Sequence, residues 1–281
     1  MKLNLSVITV TFNSQNFIKD YLDSLQSYLP EKSEIIIIDN NSMDNTLSIL
    51  GKNDKIKLIK NKQNLGFAKA SNQGAKKALG EHLLFLNPDT VVLSDSINKL
   101  LNYIKLHPEV GLVAPKLITL AGQTQESVRK FPTITGVIQE FYLHQSQAFN
   151  QYSPKGESPV EVEAVYGAII LIKKELFEKL NGFDEKFFMY FEDIDLCKRL
   201  KDQGLKIVYF PQARFKQLVG ASTTKGQELG WGLRTLSLFF PFKNTGSKYL
   251  QWQSENIYHG QFKAFIIRLL IYLSIKLGFS K

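Results

Sequence analysis

Between residues 5 and 114, short apolar runs alternate with longer stretches whose apolar positions recur at three- and four-residue spacing. The runs at 5–10, 34–39, 57–60, 82–86 and 111–114 are short and rich in Val, Ile and Leu, and they read as strands. The intervening stretches predict helices near 14–27, 44–50, 67–79 and 94–106, the last with Ser94 placed as an N-cap. Strand and helix in strict alternation predict a mostly parallel sheet covered by helices, a Rossmann-like α/β layout. In such sheets ligands bind beyond the carboxyl ends of the strands. The polar residues that follow Val10, Asp39 and Leu86 should therefore meet in one crevice: Thr11-Phe12-Asn13, Asn40-Asn41-Ser42 and Asn87-Pro88-Asp89.

Periodicity fades over residues 121–160, where Gly, Gln, Ser and Pro gather around one short helix expected near 134–143. Long ordered loops of this kind often form substrate walls. A strand at 164–172 restores order, followed by a helix at 173–180 and a turn at Asn181-Gly182-Phe183-Asp184. The next helix opens near Asp193 and is ended by Gly204; a strand at 206–210 is stopped by Pro211. The chain contains no internal repeat and no low-complexity tract.

Composition adds three constraints. The single cysteine, Cys197, excludes an intramolecular disulfide, and no apolar leader precedes the first strand, so a cytoplasmic setting is expected. Arg268 and Lys276 interrupt the longest apolar run near the C-terminus, so a spanning helix is not expected. The charge is divided unevenly: residues 1–198 carry 22 Lys and Arg against 23 Asp and Glu, while residues 199–281 carry 13 against 3. One basic third, in place of a uniformly basic chain, suits a surface that meets anions such as lipid phosphates better than it suits nucleic acid, although ordinary solvated lysines would give the same count.

In residues 264–279, Arg268, Tyr272 and Lys276 recur every four residues and share one helix face. Such a helix can lie in a membrane interface, or pack on the protein's own core or a partner subunit. Trp231, Phe239, Phe240, Phe242, Tyr249 and Trp252, set among lysines, favour the membrane.

Three places could carry chemistry. Asp39 ends a run of four isoleucines, where a carboxylate can accept a hydrogen bond from a nucleobase or merely cap backbone amides; position alone does not separate these. Asp89 follows the strand at 82–86, where a carboxylate would meet a metal-bridged diphosphate, but Asn-Pro-Asp is also an ordinary turn sequence. The densest group is Asp184, Glu185, Glu192, Asp193 and Asp195, five carboxylates within twelve residues, with Phe187, Phe188, Tyr190 and Phe191 between them. Aromatic neighbours restrict water and raise proton affinity, as a general base near neutral pH requires. Asp193 and Asp195 would also favour the positive end of the following helix. No Gly-x-Gly-x-x-Gly or Walker loop occurs, and His82, His107, His144 and His259 stand apart from any Ser or Cys motif, which argues against dehydrogenases, P-loop hydrolases and triad hydrolases.

Taken in order, Val10-Thr11-Phe12-Asn13, Ile38-Asp39-Asn40-Asn41-Ser42, Asn64-Leu65-Gly66-Phe67-Ala68, Asn72-Gln73-Gly74, Leu86-Asn87-Pro88-Asp89-Thr90 and Gly182-Phe183-Asp184-Glu185 through Glu192-Asp193-Ile194-Asp195-Leu196-Cys197 resemble family-2 glycosyltransferases. The likeness covers roughly residues 4–222 and leans toward bacterial rhamnosyltransferase-like enzymes of surface-polysaccharide synthesis. It implies a GT-A domain over 1–222, with 223–281 as a basic, aromatic-rich helical extension, and an inverting transfer of a sugar, rhamnose by likeness, from a dTDP- or UDP-linked donor to a glycan or lipid-linked acceptor. Carried over by position, Thr11, Phe12, Asn13, Asp39 and Asn41 would hold the nucleoside. Asn64, Gly66, Asn72 and Asn87 would line the donor pocket. Asp89 would bind Mg²⁺ or Mn²⁺, and Asp193, beside Glu192, would be the base.

Two positions depart from the family pattern. Asn87 stands where a metal-binding Asp-x-Asp often has Asp, and Gln217 stands where the family's His-x-x-Gly-x-Ser has His, so Gln217 would offer the metal a neutral amide oxygen. These departures motivate a second expectation, a non-catalytic sugar-nucleotide-binding or assembly protein. The implied setting is the inner face of the cytoplasmic membrane, on an anionic surface, without nucleic acid and with oligomers open.

Overall fold

Four consecutive isoleucines, Ile35 to Ile38, form a strand covered on both faces, which is why the run does not alternate. The computed structural model describes residues 3–51, 53–131 and 152–218. The expected helix at 134–143, the boundary at 222 and the extension at 223–281 lie outside the described residues.

Strands β1 (Leu3–Thr11), β2 (Ser33–Asp39), β3 (Ile56–Lys60) and β4 (Gly80–Leu86) run parallel in the spatial order β3-β2-β1-β4. Beyond β4 the sheet continues through β11 (Ile169–Lys173), antiparallel to both of its neighbours, and β6 (Val110–Ile118). Next come β12 (Lys206–Gln217), parallel to β6, and β5 (Thr90–Val92), antiparallel at the end. Two short strands flank this path, β7 (Thr124–Gln125) on β6 and β9 (Val160–Val162) on β12. A separate two-stranded ribbon pairs β8 (Val128–Arg129) with β10 (Ala164–Val165).

The helices are α1 (Ile18–Tyr28), α2 (Thr46–Leu50), α3 (Phe67–Lys77), α4 (Ser96–Leu106), α5 (Lys174–Lys179) and α6 (Glu192–Asp202). Ile18, Tyr21, Leu22 and Leu25 of α1 and Ile97, Leu100, Leu101 and Ile104 of α4 share one core with Leu5, Val7, Ile35 and Ile37. On the opposite face α3 lies so close that a Cβ on Gly74 would come within 2.6 Å of Ile8 and Ile38 side-chain atoms, so only glycine permits that approach.

Three local expectations need correction. Pro211 does not end the last strand: β12 runs to Gln217, and the proline falls in a register shift between Phe210 and Arg214, where a missing N–H costs no ladder bond. Ser94 does not cap α4, which starts at Ser96; Ser94 takes a left-handed φ of 49°, and the buried Ser96 hydroxyl donates to Leu93 O and Arg214 O. The apolar run at 164–172 is not one strand. It splits into β10 and β11 around Gly167, whose N–H leaves the ladder to donate to Asp193 Oδ2 at 2.6 Å.

Candidate active site

The parallel register brings the carboxyl ends of β1, β2 and β3 level, with Thr11 beside Asp39 and Asp39 beside Lys60. The loops that follow are laced together. Asn13 N donates to Ser42 Oγ at 2.9 Å, Met43 N to Asn13 Oδ1 at 2.9 Å, and Ser14 N to Thr46 Oγ1 at 2.8 Å. Asn13 and Asn41 sit at left-handed φ values of 50° and 66°, a conformation asparagine tolerates better than most residues. Phe12 leaves 46% of its surface exposed at this rim, as a ring that stacks on a base would. Asp39 is fully buried and accepts from Thr11 Oγ1 at 2.9 Å, Ser42 Oγ at 2.6 Å and Ser42 N at 2.9 Å. Three of its roughly four lone-pair positions are therefore used in shaping the loop, and one is left for a ligand.

Asn64, Gly66 and Asn72, expected to line the donor pocket, also hold the local backbone. Asn64 Oδ1 accepts from Gly66 N at 2.9 Å and from Asn40 Nδ2 at 3.2 Å. Gly66, at φ 81°, lies so near Phe188 that a Cβ would sit 2.3 Å from its carbonyl oxygen, and the next amide, Phe67 N, donates to that oxygen at 2.7 Å. Asn72 is a strut. Its Nδ2 donates to Phe183 O and Glu185 Oε1, and its Oδ1 accepts from Phe183 N, so its amide is spent on the turn at 182–185. That turn drives Phe183 into a cluster with Phe67, Phe85 and Phe177. Much of the motif chemistry thus holds the 183–191 segment in place.

Asp89 follows β4 as expected, and Asn87 N donates to Ala168 O at 2.9 Å beside it. Backbone pairing of β5 with β12 brings Gln217 alongside: Leu218 N donates to Asp89 O at 2.9 Å, and Gln217 Nε2 to Asp89 Oδ2 at 3.4 Å. Gln217 thus turns its NH₂ toward Asp89, the kind of donor a carboxylate accepts from. Its Oε1 accepts from Gln125 Nε2 at 3.2 Å. Asp89 Oδ1 is buried and has no partner among the described residues, and burial pushes the carboxyl up to about 6. A hard, oxygen-preferring cation satisfies such an orphaned oxygen, so these residues fit Mg²⁺ or Mn²⁺. Among the described residues no three His, Cys, Asp or Glu side chains gather.

Glu192 and Asp193 open α6 and are 4% and 7% exposed. Tyr190 and Phe191 precede them at φ 71° and 70°, two successive left-handed residues with side chains, a strain of the kind found at functional sites. Asp193 Oδ2 accepts from Gly167 N and Oδ1 from Ile194 N at 2.8 Å. Burial raises the Asp193 carboxyl above the usual carboxylate range, while the Arg129 guanidinium and these amides oppose the rise. Glu192 is pushed much further by burial and then by the Asp193 charge, and its Oε2 has no partner among the described residues. Two adjacent carboxyls in a dry site titrate as a pair, and the amide hydrogen bonds from Gly167 N and Ile194 N favour the charged form of Asp193. Asp195 has a different role, tied to Arg199 at 2.7 Å.

The profile described as glycosyl transferase family 2 matches residues 6–180 of the 281. The chain belongs to glycosyl transferase family 2. A second profile, described as the N-terminal domain of galactosyltransferase, matches residues 144–222. The N-acetylglucosaminyl-diphospho-decaprenol L-rhamnosyltransferase of Mycobacterium tuberculosis (strain CDC 1551 / Oshkosh) is 27% identical over 229 residues, 74% of each chain. Rhamnosyltransferase WbbL of Escherichia coli (strain K12) is 34% identical over 138 residues, covering 47% of this chain and 50% of its own. A crystal structure of GalNAc-T7 with UDP, GalNAc and Mn²⁺ superposes with a TM-score of 0.63 at 18% identity, over 95% of this chain and 57% of that one, and so shares the fold. The expected GT-A architecture and glycosyltransferase class are both found.

Three contributors to the glycosyltransferase site carried no sequence signal. Arg129 lies on β8, within the stretch that looked like loop, and its guanidinium stands 5.3 Å over the Tyr166 ring. Tyr166 feels the charges of both Asp193 and Asp89, and burial raises its hydroxyl, so it lies within electrostatic reach of both carboxylates. Gly167 supplies the amide that fixes Asp193. The pairing Ala164–Arg129 across the β8–β10 ribbon brings all three together, and strands of two residues are too short to show a period.

Proposed function

We propose that this glycosyltransferase transfers a sugar, rhamnose by its relatives, from a dTDP- or UDP-linked donor to a hydroxyl of a lipid-linked glycan, with Asp193 as the base and Asp89 as the carboxylate ligand of a divalent cation. The observation that carries the reading is Asp193 at the start of α6, buried beside Glu192 and fixed by hydrogen bonds from Gly167 N and Ile194 N. Each Asp193 oxygen already accepts one amide hydrogen bond, which sets its direction and leaves a lone pair free for the acceptor hydroxyl. As that hydroxyl attacks the anomeric carbon from the face opposite the leaving diphosphate, Asp193 takes its proton and the configuration inverts. When bound, the cation supplies charge stabilisation at the departing phosphate. Burial, and then the Asp193 charge, raise the Glu192 carboxyl, which favours its holding a proton beside the base. Thr11, Asp39 and the loops tied by Asn13 and Asn41 form the nucleoside end, with Phe12 as its exposed ring.

A lipid-linked acceptor is supported by the name of the mycobacterial relative, a diphospho-decaprenol enzyme, and by the basic surplus of residues 199–281. An anionic membrane surface would serve both features, and among the described residues no helix is long and apolar enough to cross a membrane. Calorimetric titration with dTDP, UDP and GDP, each with Mn²⁺ and again with chelator, tests the donor assignment. Selective, metal-enhanced binding of dTDP or UDP that Asp89→Ala weakens is expected; equal binding of all three without metal would overturn it.

A further inference from the structure

Gln125 and Gln217 form a chain of two amides that ends on Asp89. Gln125 Nε2 donates to Gln217 Oε1 at 3.2 Å, and Gln217 Nε2 donates to Asp89 Oδ2 at 3.4 Å. Gln125 Oε1 is buried without a partner among the described residues. The ladder fixes this arrangement, since Gln125 on β7 pairs with Leu117 of β6, and Leu117 pairs with Phe215, two residues before Gln217 on β12.

We propose that Gln125 is a positioning residue for the cation site, and that the two amides turn over together when a cation binds, so that Gln217 presents Oε1 beside Asp89. This rests on the reading of Asp89 as a cation ligand. A half-turn of a terminal amide exchanges its N and O with little change in position. Gln217 cannot turn alone, because its NH₂ would then face the NH₂ of Gln125. When both turn, the Gln217–Gln125 hydrogen bond is restored in the opposite sense. Among the described residues one Gln125 atom lacks a partner in either state, so no contact there favours one sense and the choice is made at Asp89. Without a cation, the carboxylate selects the NH₂ group. With one, two oxygens about 3.4 Å apart suit neighbouring ligands on an octahedral ion, whose bonds of about 2.1 Å put adjacent oxygens about 3 Å from each other.

The test uses Mn²⁺ binding to the full chain, followed by the EPR signal of the free ion at a fixed UDP concentration, so that nucleotide phosphates hold the ion in every variant. Wild type should bind Mn²⁺ more tightly than Asp89→Ala; equal binding would overturn the cation site and this proposal with it. Gln125→Glu can only accept, which draws the Gln217 NH₂ away from Asp89, and should tighten Mn²⁺ binding roughly five- to tenfold, the worth of about one hydrogen bond. Gln125→Lys can only donate, which holds the NH₂ on Asp89, and should weaken it by a similar factor. A Gln217→Met background separates this relay from simple charge. There the gap between the two Gln125 variants should narrow by at least about fivefold, and what remains is the direct effect of their charges on the ion. Shifts in the same direction, or an undiminished gap in that background, would overturn the role of Gln125 while leaving Asp89 as a ligand.

Discussion

Asp89→Asn should stabilise the cation-free enzyme at neutral pH while destroying its response to metal. Burial moves the Asp89 carboxyl from 3.8 up to about 6. Each pH unit of such a shift is worth about 1.4 kcal/mol, so ionising Asp89 costs the cation-free fold at most about 3 kcal/mol. The folded chain holds this proton more tightly than the unfolded chain does. The stabilising contribution is therefore complete below about pH 4 and is lost as pH rises through about 6. Asparagine keeps an acceptor for Gln217 Nε2 but places an NH₂ where Oδ1 was orphaned, which takes back part of the gain. The net expectation in chelator is a variant about 1–3 kcal/mol more stable than wild type at pH 7.5, with the difference shrinking toward zero near pH 4. Urea denaturation across that range measures it. Other buried carboxyls shift both proteins alike, so the difference isolates Asp89. Saturating Mn²⁺ should restore the wild type, by about 2.7 kcal/mol at a hundred times its Kd, and leave the variant unmoved. A difference that stays flat with pH would refute the reasoning.

Further outcomes follow from the same geometry. Arg129→Met removes the cation that opposes the rise of Asp193, so the acid limb of the kcat/KM pH profile should move to higher pH; an unmoved limb would remove Arg129 from the base's surroundings. Gly74→Ala forces a methyl within 2.6 Å of Ile8 and Ile38 and should cost about 1–3 kcal/mol in denaturant unfolding. Asn72→Ala leaves Phe183 N and O without their buried partner and should cost about 2–4 kcal/mol in the same assay.

The sequence foretold the parallel half of the sheet because β1, β2 and β4 are long enough for their apolar runs to stand out, and each is followed by polar residues that the register then brings level. It did not foretell β7 and β8, strands of two residues too short to show a period. Arg129 and Gln125 were hidden for that reason. At Asp89 and Asp193 position alone left turn and helix-end readings open, and it is the resemblance that singles them out. The resemblance placed Asn64, Gly66 and Asn72 near the donor; in the structure Asn72 braces the turn at 182–185, while Asn64 holds Gly66 N and Asn40. Asn40 was passed over between two chosen neighbours, yet it ties β1, Asn61, Asn64 and Gly66 through four hydrogen bonds.

The most direct measurement is single-turnover sugar transfer by Asp193→Asn, paired with nucleotide affinity for the same variant. The amide keeps an oxygen for Gly167 N but cannot take a proton, so transfer should fall by a factor of about 10² to 10⁴ while nucleotide binding stays within a few-fold of wild type. Transfer at the wild-type rate would contradict Asp193 as the base.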